Sequence, residues 1–319
     1  MNKESRLKYF PISIFSIVMG LTGFIIALQK LESILLIKNT FSTYVLYIVA
    51  LIFICISFFY IAKMIFYFSS VREEINNPVR LNFFPTFSIS MLLLSIAFLE
   101  VNMDISKYLF IIAAPLHFIA TIAILSLWVR QTKFEIHHFN PAWFIPIVGN
   151  ILIPVSGAKY FSSDLSWFFF SAGIIFWILL FTIFLYRIIF HQPIHEKLIP
   201  TLFILIAPPA IGFISYVKLN GSIDNFAKIL YYLALFLLVF LISQFKIFYK
   251  IKFYLSWWAY SFPVASITIA TSLFYKQTGL AIYKSIFFVL MGLLILFILL
   301  LLPYTVRAII RREICVKEE

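Results

Sequence analysis

Apolar residues along this chain gather into ten runs, near residues 9–29, 41–69, 81–102, 105–129, 140–158, 163–190, 198–218, 223–249, 253–275 and 280–306. Each is close to the roughly 20 apolar residues that a helix needs to cross a hydrocarbon core. The runs alternate in character. Those at 9–29, 81–102, 140–158, 198–218 and 253–275 are short and interrupted, and they hold nine of the thirteen prolines: Pro11, Pro85, Pro141, Pro146, Pro154, Pro200, Pro208, Pro209 and Pro263. Five of the nine glycines lie there too (Gly20, Gly23, Gly149, Gly157 and Gly212), whereas the intervening runs are longer and cleaner. In lipid, a backbone group released by a break must find a partner in a neighbouring helix, a hydroxyl side chain or water in a cavity, so broken helices belong inside a bundle. The pattern predicts an all-α polytopic membrane protein of ten transmembrane helices, built as five hairpins that each pair an inner kinked helix with an outer smooth one.

Prolines Pro11, Pro85, Pro146, Pro208 and Pro263 recur at intervals of 74, 61, 62 and 55 residues. The spacing supports an internal repeat and predicts kinks at Pro85, Pro146, Pro208 and Pro263. Short connections make consecutive helices antiparallel neighbours, so all five inner helices run in one direction and ring a central axis.

Composition agrees: 63% of residues are hydrophobic, 12% are charged and the mean hydropathy is +1.03. A single transmembrane domain over 1–319 is expected, with short tails at 1–8 and 307–319 and no soluble catalytic unit. The first run lacks a small-residue cleavage site and is expected to be retained rather than removed as a signal peptide. The net charge of +12 invites a nucleic-acid reading until its placement is considered. With both termini on one side, that side holds all eight arginines and nine of the seventeen lysines, while the other holds eight lysines and no arginine. The positive-inside rule then puts both termini in the cytoplasm of a multi-pass protein of the cell (inner) membrane. The basic balance reports topology, and no nucleic-acid partner is expected. Cys55 and Cys315 lie too far apart in sequence and setting to suggest a disulfide.

The inner runs are almost free of ionisable groups. They carry hydroxyls, amides and small residues instead, and the positions expected to line a pore are Ser16, Gly20, Ser88, Gly149, Asn150, Gly212, Ser215, Ala259 and Ser266. Such dipoles hold a passing ion weakly, and conduction needs binding that favours entry without preventing exit. Without acidic rings in the inner runs, and with Lys or Arg at many span ends, small inorganic anions are favoured over cations.

Enzyme chemistry finds little support. Glu100 and Asp104 lie near an interface, where a solvated boundary competes with a coupling-proton role. His117, midway along an outer run, suits hydrogen-bonded packing or a proton relay. His191 and His195 have metal-ligand spacing on a helix, but Pro193 between them disturbs that helix and no third ligand is evident. His137 and His138 are expected in a loop. No phosphate-cradling loop of the P-loop type occurs. No catalytic residue, metal or cofactor is expected.

The segment Ser256 to Ser266 is the most specific. Helical spacing puts Phe262 on a face with Ala259, Ala265 and Ser266, a large ring among small neighbours, beside Pro263. Such a ring serves either as core packing or, on the pore side, as a hydrophobic gate that excludes water.

These residues resemble the tellurite-resistance/dicarboxylate transporter family, which includes bacterial tellurite-resistance membrane proteins and the plant slow-type anion channels. The similarity is carried by Asn77-Pro78-Val79-Arg80-Leu81-Asn82-Phe83-Phe84, by Asn140-Pro141 with Val148-Gly149-Asn150, by Ala207-Pro208-Pro209, and by Trp257 to Pro263. The resemblance implies ten helices as five hairpins around a central pore, one pore per protomer of a homotrimer, and occlusion of an anion channel by Phe262. The uncharged inner runs, basic mouths and Phe262 then favour a gated channel for small monovalent anions such as chloride or nitrate; the alternative is a carrier for C4-dicarboxylate, sulfite or tellurite-type oxyanions, with or without proton coupling. Two positions depart from the family pattern: Asn77 stands where a histidine is usual, and Val18 where bacterial relatives often carry proline, which predicts a straighter first inner helix. Kinase regulation of the plant type is not expected.

Overall fold

A computed structural model describes residues 5–38 and 40–316, so Lys3 and Lys317, counted above with the Arg-rich side, lie outside the described residues. Among those described there are twelve α-helices and no strand. They are α1 (Phe15–Ile34), α2 (Thr40–Phe66), α3 (Phe68–Asn76), α4 (Thr86–Phe98), α5 (Met103–Arg130) and α6 (Ile145–Tyr160), followed by α7 (Ser163–Phe190), α8 (Ala207–Asn220), α9 (Asn225–Ser243), α10 (Phe245–Phe248), α11 (Ser261–Thr278) and α12 (Ala281–Ile310). The short α3 and α10 lie in connections. The chain is an all-α, multi-pass membrane protein.

Consecutive long helices pack as hairpins, α1 with α2, α4 with α5, α6 with α7, α8 with α9 and α11 with α12. The first member of each hairpin also packs against its counterparts in the order α1, α4, α6, α8, α11 and back to α1, which closes a ring of five parallel helices. Burial separates the two sets. In four of the inner spans 78–89% of the central residues are buried, against 28–39% in the five outer spans. The outer faces carry exposed Ile54, Phe58, Phe176, Ile229 and Leu299, suited to lipid.

Nine spans among the described residues are long and apolar enough to cross a membrane. The tenth expected segment is helical from Leu255 to Thr278 and largely buried, but falls short in apolarity. Seven serines and threonines (Ser256, Ser261, Ser266, Thr268, Thr271, Ser272 and Thr278), with Lys276 and Gln277, lower it. A helix enclosed by α1, α8 and α12 meets little lipid and tolerates them.

The inner helices are broken by a change of helix type rather than by kinks in a continuous α-helix. Each is entered through a 3-10 segment: Ile12–Ile14, Arg80–Phe83, Pro141–Phe144, Glu196–Ile206 and Leu255–Tyr260. The prolines expected to kink these helices sit at the junctions. Pro85 immediately precedes α4, Pro146 is the second residue of α6, Pro208 and Pro209 are the second and third of α8, and Pro263 is the third of α11. Proline costs little in a first turn, where the missing N–H has no intrahelical acceptor. The junctions also supply reach, because the 13 residues of α4 span only about 20 Å as α-helix, short of the ~30 Å hydrocarbon thickness. Helix α1 runs unbroken through Val18, as its lack of proline predicts.

Candidate functional site

The five junctions surround a cavity of about 50 Å³, larger than the roughly 10–15 Å³ that one water requires. Every inner helix contributes. Ser16 and Met19 come from α1, and Thr86 and Ile89 from α4 with Phe83 before it. Helix α6 gives Ile145, Val148, Gly149 and Leu152, while Ala207 and Ile211 of α8 follow Ile204. Trp258 and Ala259 lead into Phe262 and Pro263 of α11. No charged side chain lines the space. Its hydroxyls are those of Ser16 and Thr86, and the latter donates to the Phe83 carbonyl at 2.5 Å.

Phe262 is 9% exposed and faces α1 where that helix has glycines. A Cβ on Gly23 would lie 3.2 Å from Phe262 Cδ2 and 3.0 Å from Ala265 Cβ, and one on Gly20 would overlap Ser261 Oγ and stand 2.8 Å from Trp258 Cε3. Gly20 and Gly23 therefore bring α1 against α11 and set the position of the phenylalanine ring. Trp258 is anchored from outside the ring, its indole N–H donating to Thr305 Oγ1 of α12 at 2.9 Å.

Of the positions expected to line a pore, Ser16, Gly149, Ala259 and Phe262 meet at the cavity, with Pro263 beside them. The others lie elsewhere. Ser88 Oγ lies 3.0 Å from His117 Nδ1, and Asn150 Nδ2 donates to Thr121 Oγ1 and to the Pro146 carbonyl, both at 3.0 Å. Gly20 packs on α11, and Gly212 faces Ile174 of α7 and Leu230 of α9. Ser215 is fully buried in α8 away from the cavity, while Ser266 Oγ donates to the Phe262 carbonyl at 2.8 Å. In lipid, polar side chains that can pair with neighbours do so, so a hydroxyl or amide on an inner helix more readily marks an interhelical bond than a lumen. The apolar lining (Met19, Ile89, Leu152, Ile211) carries no compositional signal. Register supplies one, since Ile204, Ala207 and Ile211 repeat at helical spacing.

His117 is fully buried between three helices. Its Nε2 lies 3.1 Å from the Pro146 carbonyl, which also accepts from Thr121 Oγ1 at 2.8 Å. The imidazole bolts α5 to α4 and α6 directly behind Gly149. His191 ends α7, and His195 Nδ1 accepts the Lys197 N–H at 3.2 Å. In the 131–140 connection, His137 Nδ1 lies 3.2 Å from Glu135 Oε2, and burial with the neighbouring His137 pushes the His138 imidazole below its ordinary value. Among the described residues no group of three or more His, Cys, Asp or Glu is placed to hold a metal ion.

One buried charged cluster has no signature in the sequence. Lys63 of α2 and Glu74 of α3 form an ion pair at 2.8 Å with side chains 2% and 4% exposed. Glu74 also accepts from Tyr60 Oη at 2.9 Å and from the Ile12 N–H at 3.2 Å, and Lys63 Nζ donates to the Phe10 carbonyl at 2.9 Å. The pair fixes the 3-10 entry into α1 on either side of Pro11.

The sequence profile of the voltage-dependent anion channel family, SLAC1, matches residues 9–306. The S-type anion channel SLAH2 of Arabidopsis thaliana is 28% identical over 315 residues, which cover 96% of this chain and 60% of that relative. An uncharacterized transporter of Methanocaldococcus jannaschii is 27% identical over 337 residues, covering 98% of each. A homologue of the tellurite resistance protein TehA from Haemophilus influenzae is 27% identical over 293 residues, covering 90% of this chain and 89% of the relative. The chain thus spans about three fifths of the plant channel's length and nearly all of the archaeal and bacterial relatives.

Proposed function

The chain belongs to the SLAC1 family of voltage-dependent anion channels, and from that premise we propose that it is a gated channel passing small monovalent anions, chloride and nitrate, down their gradient through the ring of inner helices. The family consists of channels and transporters rather than enzymes. The observation that carries the proposal is the uncharged cavity at the convergence of five parallel helices, with Phe262 in its wall. Parallel helices turn the positive ends of their dipoles to the same side. The cavity lies in that half of the ring, among the first turns of the α-helices, where the dipoles favour an anion and the lining offers nothing to trap it. Closure follows from size and apolarity, since an aromatic ring in a narrow apolar passage excludes water.

The finer assignments belong to the same proposal. Both termini face the cytoplasm of the cell membrane, supported by the concentration of arginine on their side. The protein works as one transmembrane domain in a homotrimer with one path per protomer, supported by the family resemblance and by outer helices apolar enough to meet lipid or another copy.

The second reading is an oxyanion or C4-dicarboxylate carrier, favoured by the similarity to a tellurite resistance protein. Reversal potentials of the reconstituted protein separate the two. A channel follows the chloride gradient alone, and an imposed pH gradient leaves the reversal potential unchanged. A shift with the pH gradient establishes a proton-coupled carrier instead.

A further inference from the structure

The end of the ring remote from the termini is charged. Four of the five inner helices carry a lysine towards this end: Lys159 of α6, Lys218 of α8 and Lys276 of α11 in their last turns, and Lys30 of α1 one turn earlier. The fifth contributes Glu100, two residues beyond α4, which pairs with Lys30 Nζ at 2.7 Å. Lys218 is exposed to solvent and within electrostatic range of Lys30, Lys159, Lys276 and Glu100 together. The remaining lysines on this side, Lys38, Lys107, Lys228 and Lys284, belong to outer helices or their approach.

Lysine at a helix C-terminus offsets the dipole, which accounts for Lys159, Lys218 and Lys276 at three helix ends. It does not account for their facing one way. Ser16, Leu152, Ile211 and Phe262 line the cavity, and Lys30, Lys159, Lys218 and Lys276 follow them at spacings of 14, 7, 7 and 14 residues. Such spacings return a helix to within about 40° of the same face. Between the two levels, Val155 and Ile269 stand seven residues after the cavity residues Val148 and Phe262 and keep partial solvent exposure inside the bundle. The lysines therefore rim the mouth of the same path, with a net charge of +3 after Glu100 is counted.

We propose that Lys30, Lys159, Lys218 and Lys276 form an anion site at the mouth opposite the termini that takes a divalent oxyanion of the sulfate class and, when filled, obstructs monovalent flow. Attraction to a fixed charge set doubles with the charge of the ligand. A mouth that concentrates a monovalent anion about tenfold concentrates a divalent one about a hundredfold. Four flexible ammonium groups match the several oxygens of a tetrahedral oxyanion without the fixed fork of arginine. The apolar cavity beyond, with its few hydroxyls, offers a strongly hydrated divalent ion nothing to replace its shell, so that ion stays at the rim. Glu100 holds the site below full strength.

The obstruction rests on the conduction reading above, whereas binding does not, so the two are measured separately on the full-length protein at low ionic strength. In detergent, sodium sulfate is titrated against sodium chloride of matched ionic strength while the unfolding temperature is followed. The expected result is a saturable sulfate-specific rise, weakened at least tenfold in apparent affinity by Lys218→Gln with Lys276→Gln and strengthened several-fold by Glu100→Gln. In liposomes, sulfate on the side opposite the termini is expected to inhibit chloride current with the same order of variants. A sulfate response unchanged in the double lysine variant overturns the site. Lysine-dependent binding without any chloride current leaves the site standing and overturns the conduction reading.

Discussion

His117 fills the space that a side chain at Gly149 would need, since a Cβ on that glycine would overlap the imidazole. The other side of Gly149 lines the cavity, so α6 is confined between the His117 imidazole of α5 and that cavity. Gly149→Ala must push the imidazole out of its bonds to Ser88 and Pro146 or drive α6 inward. Overpacking of this kind costs about 1–3 kcal/mol. A lowered unfolding temperature in detergent, partly recovered by adding His117→Ala, is the expected outcome.

A pair of glycines gives a sharper contrast. Gly20→Ala meets Ser261 and Trp258 and separates α1 from α11, whereas Gly292→Ala on α12 meets nothing within 4 Å. The first is expected to lower the unfolding temperature and reduce the yield of assembled protein. The second should be neutral or stabilising by at most about 1 kcal/mol, through helix propensity alone.

Breaking the buried ion pair beside Pro11 should be costly. Lys63→Met leaves Glu74 charged and enclosed, and Glu74→Leu strands the ammonium. Loss of one partner of a buried pair costs about 3–5 kcal/mol, while replacing both with apolar residues of similar size is often neutral. Thermal unfolding of the two single variants and the double variant checks this. The double variant is expected to be more stable than either single one.

Acid tests the connection between α8 and α9. The Ala227 N–H and the Tyr216 hydroxyl both donate to Asp224, holding its carboxyl below the ordinary value of 3.8. A depressed folded-state value stabilises the protein above the unfolded value, and the contribution is lost as pH falls through the folded one. Stability of the wild type should therefore fall through this residue only below about pH 4. In Asp224→Asn that portion of the acid dependence should vanish, measured as the change in unfolding temperature between pH 5 and pH 3.

The alternation of inner and outer helices was legible in the sequence because lipid enforces it. A proline or a bare hydroxyl is expensive against hydrocarbon and tolerable against protein. The form of the break was not legible: Pro85, Pro146, Pro208 and Pro263 announce interruptions, but only the fold converts them into 3-10 entries with proline in the first α-turn. The place of Phe262 in the cavity wall follows from its small neighbours on the helix face. The polarity of Ser88 and Asn150 suggests a lumen, whereas in the fold their side chains bond to His117, Thr121 and the Pro146 carbonyl. Lys63 counted as a topology signal, although its partner eleven residues on lies in a separate helix that packs back against α2.

Closure of the path by Phe262 is tested most directly by recording chloride current from the reconstituted wild type and from Phe262→Ala at equal amounts of folded, assembled protein. Removing the ring next to Gly23 opens the junction between α1 and α11, and the variant should pass at least tenfold more current with its preference for anions over cations retained. A variant that assembles normally and carries no more current than the wild type contradicts closure by this residue.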